Sequence, residues 1–177
     1  MKKTETEKSK WKAALQKGMH VELKGDENIL YLGASSGTTV SMIAPETTGT
    51  IFAVEKSHQM AIPLIKRAHA CDNIAPLFCD AQDTDYMGRN INGEDIHILF
   101  CDIPAAHQVA LLTKASELVT PECKIFFSLK TQSIRQDTPE KIYEDVKNEL
   151  EKHFTIVESQ SLEPYHKKHY FFVLRKK

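Results

Sequence analysis

The stretch of this sequence richest in chemical possibility is Leu32-Gly33-Ala34-Ser35-Ser36-Gly37-Thr38-Thr39, which follows a short β-type run and leads into a segment of helical spacing. Small residues in such a turn let a ligand approach the backbone, and the start of a helix offers N–H groups to a negatively charged group such as a carboxylate. The pattern is G-x-x-x-G. It is neither the dinucleotide G-x-G-x-x-G nor the phosphate-binding loop, which needs a Lys after its last Gly; a tight turn built for packing uses the same residues. Glu55 ends the next β-type run, 22 residues after Gly33. An open α/β sheet places an acid there that can hydrogen-bond ribose hydroxyls, so the pair narrows the ligand to an adenosine derivative. Asp80 and Asp102 follow the third and fourth β-type runs. Either alone also suits a helix N-cap. Together, the turn and the three acids mark four consecutive strand ends, the edge at which such sheets bind ligands.

The elements that must position these groups are legible as alternation. Ile29–Leu32, Thr50–Val54, Ala75–Cys79, Ile96–Cys101 and Ile125–Leu129 read as strands, and helical spacing appears near 39–44, 58–70, 105–118 and 139–152. Strands alternating with helices imply an α/β domain, a mostly parallel, doubly wound sheet covered on both faces. Phe154–Val157 and Tyr170–Leu174 are joined without a helical pattern, which predicts an antiparallel pair closing the sheet. Near the start, Ser9 as N-cap, the i, i+3, i+4 spacing of Trp11, Ala14 and Leu15, and Gly18 as terminator predict a short helix. Residues 1–8 are polar and of mixed charge and are expected to be flexible, leaving 9–177 as one domain.

Composition narrows the function classes. With 23 Lys plus Arg against 24 Asp plus Glu, the formal charge of −1 gives no global signal for nucleic-acid binding, so an RNA-binding face must be local or supplied by a partner. Cys71, Cys79, Cys101 and Cys123 form no C-x-x-C pair and read as reduced thiols in a cytoplasmic protein, nucleolar if the source is eukaryotic. His20, His69, His97, His107, His153 and His166 show no metal-binding spacing, and no metal site is expected. Neither a signal-peptide core nor an apolar run of about 18 residues is present, which argues against a membrane role.

At this point the sequence resembles fibrillarin, over about Ser9 to Arg175. ILYLGASSGTT, from Ile29 to Thr39, is similar to the family's VLYLGAASGTT; Ala53-Val54-Glu55 with Ser57-His58 resembles AVE-x-SH. Leu162-Glu163-Pro164-Tyr165 with His169 resembles LEPY-x-x-x-H, and Ser9-Lys10 with Ala13-Ala14 is similar to SKLAAAI. The resemblance implies a Rossmann-like class I S-adenosylmethionine-dependent methyltransferase fold and transfer of a methyl group to ribose 2′-hydroxyls of rRNA or tRNA. It implies S-adenosylmethionine as cofactor, held by Gly33, Ala34, Ser35, Gly37, Thr38, Thr39, Glu55, Lys56, Asp80, Ala81, Asp102 and Gln108. Its implied partners are a box C/D guide RNA with its target and the coiled-coil scaffold protein of that ribonucleoprotein.

The resemblance also carries over a catalytic tetrad: Lys10, Asp102, Lys130 and His169. A methyl on a sulfonium is transferred by in-line displacement, but a ribose hydroxyl is a poor nucleophile until it gains alkoxide character, so the site needs a base and a positive clamp. Lys130 is the expected base, Asp102 the group that orients it, and Lys10 and His169 the groups that hold the nucleotide or shape the field. The sequence departs from the family in three places. Ile103-Pro104-Ala105-Ala106-His107-Gln108 follows Asp102 where Ala-Gln-Pro-Asp-Gln is usual, which implies rearranged contacts to the methionine part of the cofactor; Lys56 replaces an aromatic residue; and the family's extension ahead of Ser9-Lys10 is almost absent. The other open readings are a stand-alone methyltransferase acting on another RNA, a small molecule or a protein side chain, and a non-catalytic cofactor-binding subunit.

Overall fold

The computed structural model describes residues 3–177. Its seven strands, β1 (Ile29–Leu32), β2 (Ile51–Val54), β3 (Ile74–Leu77), β4 (Ile98–Cys101), β5 (Lys124–Lys130), β6 (Phe154–Ser161) and β7 (His169–Lys176), form one sheet of order β3-β2-β1-β4-β5-β7-β6. The first five run parallel, and β7 pairs antiparallel with both β5 and β6. This is the doubly wound sheet with a closing antiparallel pair. β1, β2 and β4 are buried at every position, as strands covered on both faces must be.

Helices α1 (Glu5–Lys8), α2 (Lys10–Gln16), α3 (Thr38–Ile43), α4 (His58–Ala68), α5 (Thr84–Ile91), α6 (Gln108–Ala115) and α7 (Pro139–His153) complete the domain. Two apolar cores lie on opposite faces. One joins Met87 and Ile91 of α5, Leu112 of α6 and Ile142, Val146 and Leu150 of α7 to the sheet; the other joins Trp11 of α2, Val40 of α3 and Leu64 of α4. On the second face an aromatic row crosses four strands: Tyr31 stacks on Phe100 with centroids 5.0 Å apart, Phe100 meets Phe126 at 4.8 Å, and Phe126 meets Phe171 at 6.1 Å. Such pairs contribute about 0.5–1.5 kcal/mol each beyond their burial and make a stiff floor.

One local expectation needs correction. α5 has no counterpart in the helical spacing read from the sequence, because only Met87 and Ile91 are buried and Gly88 interrupts them; what fixes it is Asp83, whose carboxylate accepts from Tyr86 N at 2.9 Å, and Asn92 in the left-handed conformation at its end. From Thr4 onward the chain enters α1, which is closed by a reciprocal capping box between Thr4 and Glu7. The Nε2 of His166 lies 2.8 Å from the Thr6 carbonyl and ties that turn to the body. Residues 1–2 lie outside the described residues.

Candidate active site

The first βα turn is drawn tightly onto the sheet. Gly33 N and Ala34 N both donate to the Val54 carbonyl, at 3.0 and 2.9 Å. Gly33 has φ +83°, and a Cβ there would come within 2.9 Å of the Asp102 carbonyl oxygen and of Ile103 Cγ1. At Gly37, φ +77°, a Cβ would meet Leu64 Cδ1 at 2.8 Å. Gly33 is therefore required by its packing against backbone and Gly37 is favoured by its left-handed φ, whatever else the turn does. The anion facing the turn is the protein's own: Glu55 accepts from Ser35 N with Oε2 and from Ser57 N with Oε1, each at 2.7 Å. Two backbone donors fix this carboxylate at the edge of a cavity of about 450 Å³.

That cavity runs over the carboxyl ends of the parallel strands, and Gly33, Ser35, Glu55, Lys56, Asp80 and Ala81 line it from β1 to β3. Asp80 Oδ1 accepts from Gln82 N at 3.0 Å and Oδ2 from Lys56 Nζ at 3.2 Å. The Gln82 amide and the lysine together hold the Asp80 carboxyl below its ordinary range. Lys56 thus brings a cation to the position where an aromatic residue was missing. Cys79 also lines the cavity, but burial, with Asp83 and Asp80 nearby, pushes its thiol up to about 11, so it is no nucleophile near neutral pH.

Lys10, Asp102, Lys130 and His169 line the other half. Sheet geometry explains the convergence. Side chains alternate along a strand, so Asp102, two residues past Phe100, Lys130, four past Phe126, and His169, two before Phe171, all fall on the face of the aromatic row. Antiparallel register then sets Lys130 directly opposite His169. Lys10 arrives from α2, whose N-cap Ser9 is fully buried and whose Trp11 donates from Nε1 to the Val21 carbonyl at 3.0 Å. Its Nζ lies 2.9 Å from both carboxylate oxygens of Asp102. The Tyr31 hydroxyl donates to Asp102 Oδ2 at 3.4 Å, and burial with the adjacent carboxylate drives the phenol well above its ordinary value.

The expected partnership of Asp102 with Lys130 is therefore corrected: Asp102 holds Lys10. Among the described residues no carboxylate lies within salt-bridge distance of Lys130, whose strand ends beside β7 rather than over β4. The His169 ring is oriented by its own loop. Its Nδ1 lies 2.7 Å from the Lys167 carbonyl and must carry the proton, which leaves Nε2 as the acceptor of the neutral ring. Burial, with Lys10 and His166 nearby, lowers the His169 pKa from its ordinary 6.5, so the ring is neutral at pH 7.

Five residues assigned to the cofactor do not line the cavity. Ala34 is buried beneath the turn, Gly37 packs on α4, Thr38 lies between Ser36 and Arg67 through its hydroxyl, and Thr39 sits beside Tyr31. Gln108 opens α6 with its side chain fully buried and neither amide atom bonded among the described residues. In return the cavity wall includes Ser128, Met60, Gln82 and His107, which were not anticipated. Ser128 carried a readable signal, as the one polar residue inside the run Ile125–Leu129 and two residues before Lys130. Among the described residues no cluster of three His, Cys, Asp or Glu could hold a metal ion, and no helix is long and apolar enough to cross a membrane.

The donor set fits S-adenosylmethionine: a fixed carboxylate at the end of β2 would suit ribose hydroxyls, Asp80 lies beyond β3, and a third acid, Asp102, has the charge that would suit a cationic sulfonium. The volume falls within the usual range of small-molecule sites, about 300–1,000 Å³. Comparison with known proteins points the same way. A sequence model of the family described as Fibrillarin matches residues 2–177. The fibrillarin-like rRNA/tRNA 2′-O-methyltransferase of Archaeoglobus fulgidus is 36% identical over 168 residues, covering 93% of this chain and 79% of that relative. The protein of the same name from Thermococcus onnurineus is 32% identical, covering 96% and 76%. Among solved structures, a fibrillarin/Nop5p complex superposes with a TM-score of 0.92 at 33% identity, covering 97% of this chain and 83% of the other. Aeropyrum pernix fibrillarin with natively bound S-adenosyl-L-methionine gives a TM-score of 0.84 at 25% identity, covering 96% and 76%.

Proposed function

Because this chain belongs to the fibrillarin family, we propose that it transfers the methyl group of S-adenosylmethionine to ribose 2′-hydroxyls of rRNA or tRNA. The observation that carries the reading is the convergence of Lys10, Asp102, Lys130 and His169, from α2, β4, β5 and β7, on one wall of the cavity. When bound, S-adenosylmethionine supplies an electrophilic methyl on a sulfonium. The protein's work is to align the acceptor oxygen and take its proton.

Glu55 and Asp80 are the residues to hold the adenosine part, with Lys56 beside the adenine. The Lys10–Asp102 pair fixes a positive and a negative charge where the acceptor enters, and Lys130, which meets no carboxylate among the described residues, accepts the 2′-hydroxyl proton. A specific observation favours a second acceptor: the Lys167 carbonyl fixes His169 in the tautomer that leaves Nε2 bare. Rate against pH tests the histidine, since a His169 base loses activity as pH falls through its lowered pKa.

A box C/D guide RNA and a scaffold protein complete the proposal. A formal charge of −1 suits an enzyme whose RNA is held by others, and a fibrillarin that superposes closely on this chain was solved with Nop5p. We place the reaction in the cytoplasm, or the nucleolus of a eukaryote. The test is transfer from radiolabelled S-adenosylmethionine to RNA, alone and with an assembled guide complex, followed by digestion to nucleosides. Label in 2′-O-methyl nucleosides that needs the guide complex and disappears in Lys130→Ala supports the whole reading. Label in base-modified nucleosides or in protein replaces it with another substrate.

A further inference from the structure

Ser128 breaks an apolar strand. Ile125, Phe126, Phe127 and Leu129 are fully buried, and Ser128 itself is only 4% exposed. Its hydroxyl oxygen is itself buried and has no hydrogen-bond partner among the described residues, while the residue borders the cavity. A buried hydroxyl without a partner costs free energy that Ala at the same place would not. The position is therefore intelligible if the partner is a ligand.

Register and sheet order identify which ligand. Cys101 lies opposite Phe127, so Ser128 is level with Asp102, and Lys130 stands two residues further along the same face, opposite His169. The groups suited to the adenosine part lie at the ends of β1, β2 and β3, on the other side of β4. Ser128 is on the acceptor side. We propose that its hydroxyl hydrogen-bonds the target ribose, donating to the 2′-oxygen as that oxygen gains negative charge. Ser128 keeps its proton throughout. The base takes the 2′-hydroxyl proton, the oxygen–methyl bond forms as the sulfur–methyl bond breaks, and the sulfonium leaves as a neutral thioether. This role rests on the ribose methyltransferase reading above.

The test compares wild type, Ser128→Ala and Ser128→Cys as full-length chains in the guide complex. It measures single-turnover rate, KM for target RNA, affinity for S-adenosylhomocysteine by calorimetry, and thermal midpoint. Both substitutions are expected to slow methyl transfer about ten- to a hundred-fold, in line with removal of a donor to a developing charge. S-adenosylhomocysteine affinity should stay within about twofold, and the midpoint of Ser128→Ala should be unchanged or raised. A rate within twofold of wild type overturns the proposal, and so does a tenfold loss of S-adenosylhomocysteine affinity, which assigns the hydroxyl to the cofactor. If Ser128→Ala unfolds, the hydroxyl is structural unless the volume-conserving Ser128→Cys folds and shows the same rate loss. Wild type that forms no 2′-O-methyl nucleoside defeats the reaction itself, whereas active wild type with undiminished variants defeats only the role of Ser128.

Discussion

The Lys10–Asp102 pair offers a sharp test because its strength can be worked out beforehand. Both carboxylate oxygens lie 2.9 Å from Nζ, and the two side chains keep 25% and 17% of their exposure. At that distance and an effective dielectric of ~20, the gross attraction is about 6 kcal/mol. Desolvation and side-chain ordering offset most of it: exposed pairs retain about 0–1 kcal/mol, and breaking a buried pair costs about 3–5 kcal/mol. This pair lies between those limits, so a coupling of about 2 kcal/mol is expected. The assay is a double-mutant cycle of Lys10→Met and Asp102→Asn, read by urea unfolding at pH 7. Asp102→Asn alone should lower the thermal midpoint by about 4–8 °C, at ~2–4 °C per kcal/mol for a domain of this size. It should remain folded and should lose at least a hundredfold in transfer rate, the scale of a group acting on developing charge. Additivity within ~0.3 kcal/mol would refute the reasoning, because the two side chains would then not interact. Retained activity in Asp102→Asn would remove the residue from the machinery.

Three further outcomes follow from the same geometry. Gly33→Ala should cost about 2 kcal/mol or more, from its left-handed φ and the contact with the Asp102 backbone, and should weaken S-adenosylhomocysteine binding by calorimetry. Burial lowers the pKa of both His166 and His169 from 6.5 in the folded state, so the unfolded chain binds more protons between those values and 6.5. Stability should thus be constant above about pH 7 and fall as pH drops through 6.5, and His166→Gln with His169→Gln should flatten that slope in urea midpoints measured from pH 7.5 to 5. Gln108→Leu should raise stability by about 1–3 kcal/mol, since it removes a buried amide with no partner among the described residues, and should leave S-adenosylhomocysteine affinity unchanged; weaker binding would restore Gln108 to the cofactor site.

What the sequence determined by itself was the frame. Short buried runs alternating with helical spacing can be satisfied only by a covered parallel sheet, and the Gly33 turn with Glu55, Asp80 and Asp102 falls at strand ends because periodicity counts residues along the chain. Lys10, Lys130 and His169 were legible only through the likeness to fibrillarin, since a lone lysine or histidine carries no spacing signal. Pairing was beyond the sequence. That Asp102 takes Lys10 rather than Lys130 depends on where α2 docks and on β7 entering beside β5, contacts separated by 92 residues in the first case. Whether a polar residue faces a cavity or a core is likewise decided across the sheet. Gln108, assigned to the cofactor, turned inward with the first turn of α6, while Ser128, hidden in an apolar run, shares the face of Lys130 and borders the cavity. Local pattern set the alternating strands and most of the helices; only the packed sheet decides which charges meet, because their partners come from elements distant in the chain.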